Sequence, residues 1–309
     1  MQYRDLGKSG LTVSSLSFGA SSLGGVFHDV DESDAIRAVH SALDAGITYI
    51  DVAPAYGATR AEVVLGRALK GIARDRYVLS TKVGKYSDAN GRDYLNYDAS
   101  HIRARLDESA ARLGTDQFDI LHIHDIEYEG GGKTEQALTE GIETVLALKA
   151  EGRVRALGFG FYPIDLWARV LRDYPVDAAL IHNHYVLNDT RLLSLLPLAH
   201  EKGVGVISAS PFASGLLTSR GPAGRHPASD ADRIIAAKAA AFCRDRGTSI
   251  EQLAFQFACQ SPDIPTVMFS SANPASVKRN IAWAELPYDA ELAVAVQAIL
   301  TPLIDRNWY

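Results

Sequence analysis

The chain has 309 residues and a formal net charge of −6 at pH 7, with 47% hydrophobic and 22% charged residues. That balance excludes a disordered chain, a collagen and a disulfide-stapled miniprotein, and the diffuse acidic charge argues against nucleic acid or an anionic membrane as the main partner. No run approaches the ~20 apolar residues that span a bilayer, and the segment MQYRDLGKSGLTVSSLSFGA has no apolar h-region, so a secretory leader is not expected. Cys243 and Cys259 are the only cysteines and form no CxxC pair. They read as reduced thiols in a cytoplasmic protein with no metal site.

Strand-like and helical segments alternate along the chain. A first strand is predicted near 16–20. A helix over 31–46 follows, with Ile36, Val39, His40 and Leu43 on one face and a glycine at its end. Next come a strand at 47–53, a helix at 60–71, a strand at 77–83, a helix at 99–114 and a strand at 118–124. The pattern continues with a helix at 135–152, strands at 154–160 and 177–183, and a helix at 189–203 that Asp189 would cap. Strands at 204–210 and 264–270 and a helix at 273–286 complete the series. The strands are continuous apolar runs, as expected of parallel strands covered by helices.

Eight such alternations match a closed (β/α)8 barrel whose active site lies at the C-terminal strand ends. An open doubly wound sheet would carry a GxGxxG turn after its first strand; here FGASSLGGVFHD stands there instead. The expectation is one barrel domain over 1–309. The irregular stretch 210–230 is long for a loop and reads as a flap over a ligand.

Four polar residues fall at or just beyond successive predicted strand ends: Asp51, Tyr56, Lys82 and His124. A barrel would aim all four at one mouth. Singly, each is an ordinary cap, packing or surface residue; together they suit proton transfer. A phenol with pKa near ~10 is a poor base at neutral pH, and the Lys82 ammonium is expected to lower it. Asp51 would hold Lys82 charged, and His124 would bond the substrate oxygen. The matching hydride needs a nicotinamide, because no side chain carries one.

The segments LGKSGLTVSSLSFGA, GITYIDVAPAYGATRAEVVLGRAL, STKVGKY, FDILHIHD, LKAEGRVRALGFG, ASPFASGLL and SANPASVKRNI resemble the aldo-keto reductases over almost the whole chain. The resemblance implies an α/β (β/α)8 TIM barrel with an N-terminal β-hairpin and an extra C-terminal helix. It makes Asp51, Tyr56, Lys82 and His124 the catalytic tetrad. It implies cofactor contacts at Gly19, Ala20, Asp51, His182, Ser210, Pro211, Phe212, Gly215, Leu217, Ser271, Lys278 and Asn280. Within the family, FGASSLGGVF, DILHIHDIEY, VGVISASPFASGLLT and GPAGRHPAS are similar to the L-galactose dehydrogenase branch of aldose 1-dehydrogenases. That implies oxidation of the anomeric carbon of an L-sugar, L-galactose or an L-fucose-like aldose, to the lactone.

Several positions depart from the family pattern. A Ser-Asn pair after the fifth strand is replaced by Gly158-Phe159-Gly160-Phe161. His182 replaces a Gln; it either takes over the carboxamide bond or is a plain strand-end polar residue. Ala209 replaces the ring that stacks on the nicotinamide. Ser270 and Ser276 replace the Lys and Arg that clamp a 2′-phosphate, which favours NAD. NADP stays open because Lys278 and Arg279 sit close by, as a solvated helix face or as phosphate ligands. Substrate contacts are expected from Tyr56, His124, Asp125, Phe27, Tyr86 and Trp308, with His28, Glu127 and Tyr309 nearby. Asp125 serves a sugar hydroxyl or caps its loop, and the aromatic tail is a lid or a packing anchor. The alternatives are a broad NADPH-dependent carbonyl reductase and a nicotinamide-binding regulatory subunit. No obligate protein partner is expected.

Overall fold

A computed structural model describes residues 1–26, 29–88, 90–128, 131–224 and 226–306. The expected residues Phe27 and Trp308, like His28 and Tyr309, lie outside them.

The chain opens with an antiparallel hairpin, β1 (Tyr3–Asp5) and β2 (Thr12–Ser14). The first barrel strand is β3 (Leu16–Gly19), followed by α1 (Glu32–Asp44), β4 (Tyr49–Asp51), α2 (Arg60–Leu69) and β5 (Val78–Val83). A second hairpin, β6 (Lys85–Ser87) and β7 (Asp93–Leu95), precedes α3 (Ala99–Leu113) and β8 (Phe118–His124). Then come α4 (Gly131–Gln136), α5 (Ile142–Ala150), β9 (Val154–Phe161), α6 (Ile164–Asp173), β10 (Ala178–His182), α7 (Leu196–Lys202) and β11 (Gly205–Ala209). The chain ends with α8 (Asp230–Arg244), α9 (Ile250–Ala258), β12 (Thr266–Ser270), α10 (Pro274–Glu285) and α11 (Ala290–Leu300).

The eight strands β3, β4, β5, β8, β9, β10, β11 and β12 close into a parallel barrel, with β12 pairing back onto β3. This is the (β/α)8 fold, flanked by the N-terminal hairpin and by α11. Each predicted barrel strand is present within two residues of its expected ends. Period-two alternation points every second side chain inward. The inner cluster joins Tyr49, Val78, Ile120, Ala156, Ala178, Leu180, Ile207, Ala209 and Met268 to Leu6, Leu11 and Val13, so the N-terminal hairpin plugs the barrel floor. The outward side chains pack against the helices in a larger cluster.

Four local expectations differ from the structure. The buried stripe of α1 is Ala35, Ala38, Val39, Ala42 and Leu43, whereas His40 is exposed and bonds the Ala68 carbonyl. Small residues let α1 seat close to its neighbours. The helix predicted over 135–152 contains a π turn at Ala137–Gly141. Asp189 caps no α-helix: its carboxylate is taken by Arg191 and by His184 Nδ1 at 2.9 Å, and α7 starts at Leu196. The stretch after β11 is held rather than free. Ala213, Leu216, Leu217 and Ala228 belong to a satellite core with α8, α9 and α11. Arg233 donates to the carbonyls of Pro222, Ala223, His226 and Ala228.

Candidate active site

The C-terminal ends of β4, β5 and β8 carry Asp51, Lys82 and His124 in phase. Tyr56 follows in the turn between β4 and α2. Asp51 and Lys82 are 2% and 1% exposed and form a buried ion pair through Oδ1. Lys82 Nζ also donates to the Val52 carbonyl at 3.0 Å, and Ser80 Oγ donates to Asp51 Oδ2 at 2.7 Å. Burial outweighs the mutual attraction, raising Asp51 above the usual carboxylate range and pulling Lys82 down.

The half-buried Tyr56 presents its ring to both partners. Lys82 Nζ stands 5.1 Å from its centroid, and the His124 ring meets it edge-on at 6.0 Å and 89°. The expectation that Lys82 lowers the Tyr56 phenol is corrected. Burial comes first, followed by the carboxylate charges of Asp51 and Asp125, and the phenol is pushed well above its ordinary value. At rest Tyr56 therefore keeps its proton.

His124 is neutral for the same physical reason: burial pulls its imidazole down to about 3. Its Nδ1 is buried and without a hydrogen-bond partner among the described residues. Nε2 lies 3.4 Å from Asp125 Oδ1. The backbone turns sharply here. Asp125 has φ of +52°, and Tyr97 stabilises the turn by donating to the carbonyls of His124 and Asp125 at 2.8 and 3.2 Å. Gly84, with φ of +101°, leaves room for that ring: a Cβ there would stand 2.1 Å from Tyr97 Cε1.

A charged wall continues from Asp125. Lys85 donates to Asp125 Oδ2 at 2.8 Å and lies 3.4 Å from Asp93 Oδ2. Glu127 Oε1 accepts from the Tyr162 amide at 3.0 Å, while Oε2 is buried and without a partner among the described residues. Burial, then the Asp125 charge, pushes this carboxyl up to about 7. The His182 ring meets the Tyr162 ring at 5.1 Å, and burial pulls its imidazole down to about 4.

The structure settles where the other expected residues stand. Tyr86 is turned away from the tetrad: it is 2% exposed, in a ring cluster with Tyr94 and His101 at 5.6 and 5.0 Å. The hairpin that follows Gly84 redirects it towards α3. Gly19 and Ala20 lie at the end of β3, where a Cβ on Gly19 would meet Met268 at 3.3 Å. Ser210 has φ of +64° and Gly215 +94°, and Pro211 is buried between them. Phe212 stacks on Phe255 at 5.8 Å, and Leu217 is fully buried in the satellite core.

At the last strand–helix turn, Ser270 is tied to Ser21 and Ser22. Ser271 bonds Asn273, which caps α10 by accepting from the Ala275 and Ser276 amides. Lys278 and Arg279 are exposed, with Arg279 donating to Ser276 and lying 5.0 Å over Trp283. Asn280 is 3% exposed, and its Oδ1 has no partner among the described residues.

Sequence reasoning missed Tyr49, Ser80, Lys85, Tyr97, His122 and Asn183. Tyr49, Ser80 and His122 each precede a tetrad residue by two positions on the same strand, and that period was the available signal. Asn183 directly follows His182, with φ of +64°. It donates to Ser214 Oγ at 2.9 Å, and its Oδ1 has no partner among the described residues.

The chain is 39% identical to an L-galactose dehydrogenase of Arabidopsis thaliana, covering 100% of this chain and 97% of that one. It is 31% identical to a D-threo-aldose 1-dehydrogenase of Pseudomonas sp, over 95% and 96% of the two chains. Among solved structures it is similar to the holo form of an aldo-keto reductase from Bacillus halodurans. The TM-score is 0.78 and the identity 27%, covering 100% of this chain and 98% of that one. The family profile itself matches residues 15–301, and the chain belongs to the aldo/keto reductase family.

Proposed function

We propose that this protein is an aldose 1-dehydrogenase that oxidises the C1 hydroxyl of an L-sugar, L-galactose or an L-fucose-like aldose, to the aldonolactone with NAD as acceptor. The observation that carries the reading is the convergence of Lys82, Tyr56 and His124 beside the Asp125–Lys85 pair. It sets a proton-transfer group next to a wall of hydrogen-bonding groups suited to a polyol. Full-length similarity to two aldose dehydrogenases supports the substrate class.

A nicotinamide dinucleotide fits the residues present. The oxygens of Asn183 and Asn280, which have no partner among the described residues, are buried acceptors for carboxamide and adenine amino groups, and a buried acceptor without a partner is costly to leave so. His182 shares the carboxamide end. We place the cofactor phosphates against the 210–217 loop, which has positive φ at Ser210, Ala213, Ser214 and Gly215. When bound, oxidised nicotinamide would supply the hydride acceptor and one positive charge.

The chain's own residues handle the proton. Tyr56, as phenolate, takes the C1 hydroxyl proton. Lys82, oriented by Asp51 and the Val52 carbonyl, stabilises the phenolate before the transfer. Neutral His124 donates to the substrate oxygen and fixes its position. Asp125 and Lys85 are aligned for the sugar hydroxyls, and Glu127 adds a second acceptor. We read residues 1–309 as one catalytic domain acting in the cytoplasm without an obligate partner.

The phenol held protonated at rest favours a second reading, carbonyl reduction with NADPH. Here Tyr56 is the acid, and Lys278 or Arg279 meets the 2′-phosphate. One assay separates them: absorbance of reduced nicotinamide with NAD and NADP crossed against L-galactose, L-fucose, L-glucose, D-arabinose and D-galactose. The first reading expects NAD reduction with an L-sugar. Silence with every sugar, together with NADPH consumption by simple aldehydes, overturns it.

A further inference from the structure

Beneath the tetrad, β4, β5 and β8 carry a second polar layer that the proposed chemistry leaves unused. Tyr49, Ser80 and His122 have no exposed surface. They form one row of contacts. Ser80 Oγ meets Asp51 Oδ2 at 2.7 Å, and the Tyr49 hydroxyl meets Ser80 Oγ at 3.0 Å and His122 Nε2 at 3.2 Å. At the far end, His122 Nδ1 faces the Phe159 carbonyl at 3.1 Å. A carbonyl only accepts, which assigns the ring hydrogen to Nδ1 and leaves Nε2 bare in the neutral imidazole. Room for the ring comes from β9, where a Cβ on Gly158 would stand 2.3 Å from His122 Nδ1.

The hydrogens do not match the contacts. Three contacts link Asp51 to His122, and the Ser80 and Tyr49 hydroxyls bring two hydrogens. With Asp51 ionised and His122 neutral, one contact has none. An added proton on the carboxyl completes the row, which then runs from Asp51 through Ser80 and Tyr49 to Nε2. A buried hydrogen bond left unmade is costly, so the row draws a proton onto Asp51.

We propose that His122 is a positioning residue for Asp51: its bare nitrogen at the end of the Tyr49–Ser80 row favours a proton on the carboxyl and frees Lys82 charge for Tyr56. The role in catalysis rests on the dehydrogenase reading; the proton on Asp51 does not. Burial holds His122 well below the usual imidazole range and raises Asp51, so the added proton rests at the carboxyl end. Other ionisable groups also face the row. Lys82 and His124 face His122, Asp119 faces Tyr49, Tyr56 faces Asp51, and Asp125, Glu62 and His182 face Lys82. The substitutions below leave all of them in place.

The test is the 13C titration of the Asp51 carboxyl in cofactor-free protein, its signal assigned by its loss in Asp51→Asn. Tyr49→Phe cuts the row. His122→Gln replaces the bare nitrogen with an amide that donates to Tyr49, so the row closes with Asp51 ionised. In both variants the midpoint is expected to fall by roughly half to one pH unit, the worth of one net hydrogen bond. A midpoint unmoved in either folded variant overturns the proposal. With a sugar that the wild type oxidises, the pH at which kcat rises is expected to move upward in both variants at unchanged KM. A lowered midpoint without that rise overturns the link to Tyr56. If the wild type oxidises no sugar, the dehydrogenase reading fails and the carboxyl titration still decides the proton on Asp51.

Discussion

Replacing Glu127 by Gln removes a charge that the fold holds largely out of water. The native carboxyl sits beside Asp125, with one oxygen on the Tyr162 amide and the other unpartnered among the described residues. Its proton is held up to about 7, from an ordinary value of 4.5. An unfolded glutamate releases its proton near ~4.3. Between these two values the folded state binds more protons, so stability falls as pH rises through that window. At ~1.36 kcal/mol per unit, the loss approaches about 4 kcal/mol above pH 7. The Glu127→Gln variant is neutral at every pH and keeps an acceptor for Tyr162. Urea unfolding at intervals between pH 5 and 8 measures the difference. Relative to the native protein, the variant is expected to gain about 2.5 kcal/mol between pH 5 and pH 8. A stability difference that stays constant across the range refutes the reasoning, because it would mean that Glu127 titrates alike in both states.

Tyr56→Phe removes the hydroxyl of the ring that both Lys82 and His124 face. Turnover is expected to drop by about 10²–10⁴ with cofactor affinity nearly unchanged in a fluorescence titration. Ser276→Arg puts a guanidinium in the first turn of α10, where Arg279 already reaches the side chain; the ratio of kcat/KM for NADP over NAD is expected to rise. Gly158→Ala pushes a methyl into the His122 ring. Urea unfolding should show a loss of about 1–3 kcal/mol, as for other overpacked cores, and the Asp51 carboxyl titration should move with it.

The departure at Gly158-Phe159-Gly160-Phe161 shows how local pattern and tertiary contact divide the explanation. As a sequence it is a missing Ser-Asn pair. In the barrel, β9 pairs with β8 so that His122 stands beside Gly158 and His124 beside Gly160. Gly158 gives the His122 ring its space, a Cβ on Gly160 would make only ordinary contact with His124, and the phenylalanines pack outward into the helix-facing core.

Strand order and the tetrad were legible from the chain alone, because hydrophobic runs and period-two alternation are local properties that each strand carries within itself. LHIH, STK and ITYID therefore announced three inward side chains at one mouth before any contact was known. The charge on those side chains was not legible. Whether Lys82 lowers the Tyr56 phenol depends on how much of its charge Asp51 takes and how much water the barrel excludes. The hairpin after Gly84 turned Tyr86 into packing, and closure of β8 against β9 placed His122 beneath Asp51. Pairings of that kind join residues far apart in sequence, and burial and hydrogen bonding are sums over such pairings, so only the tertiary structure decided them.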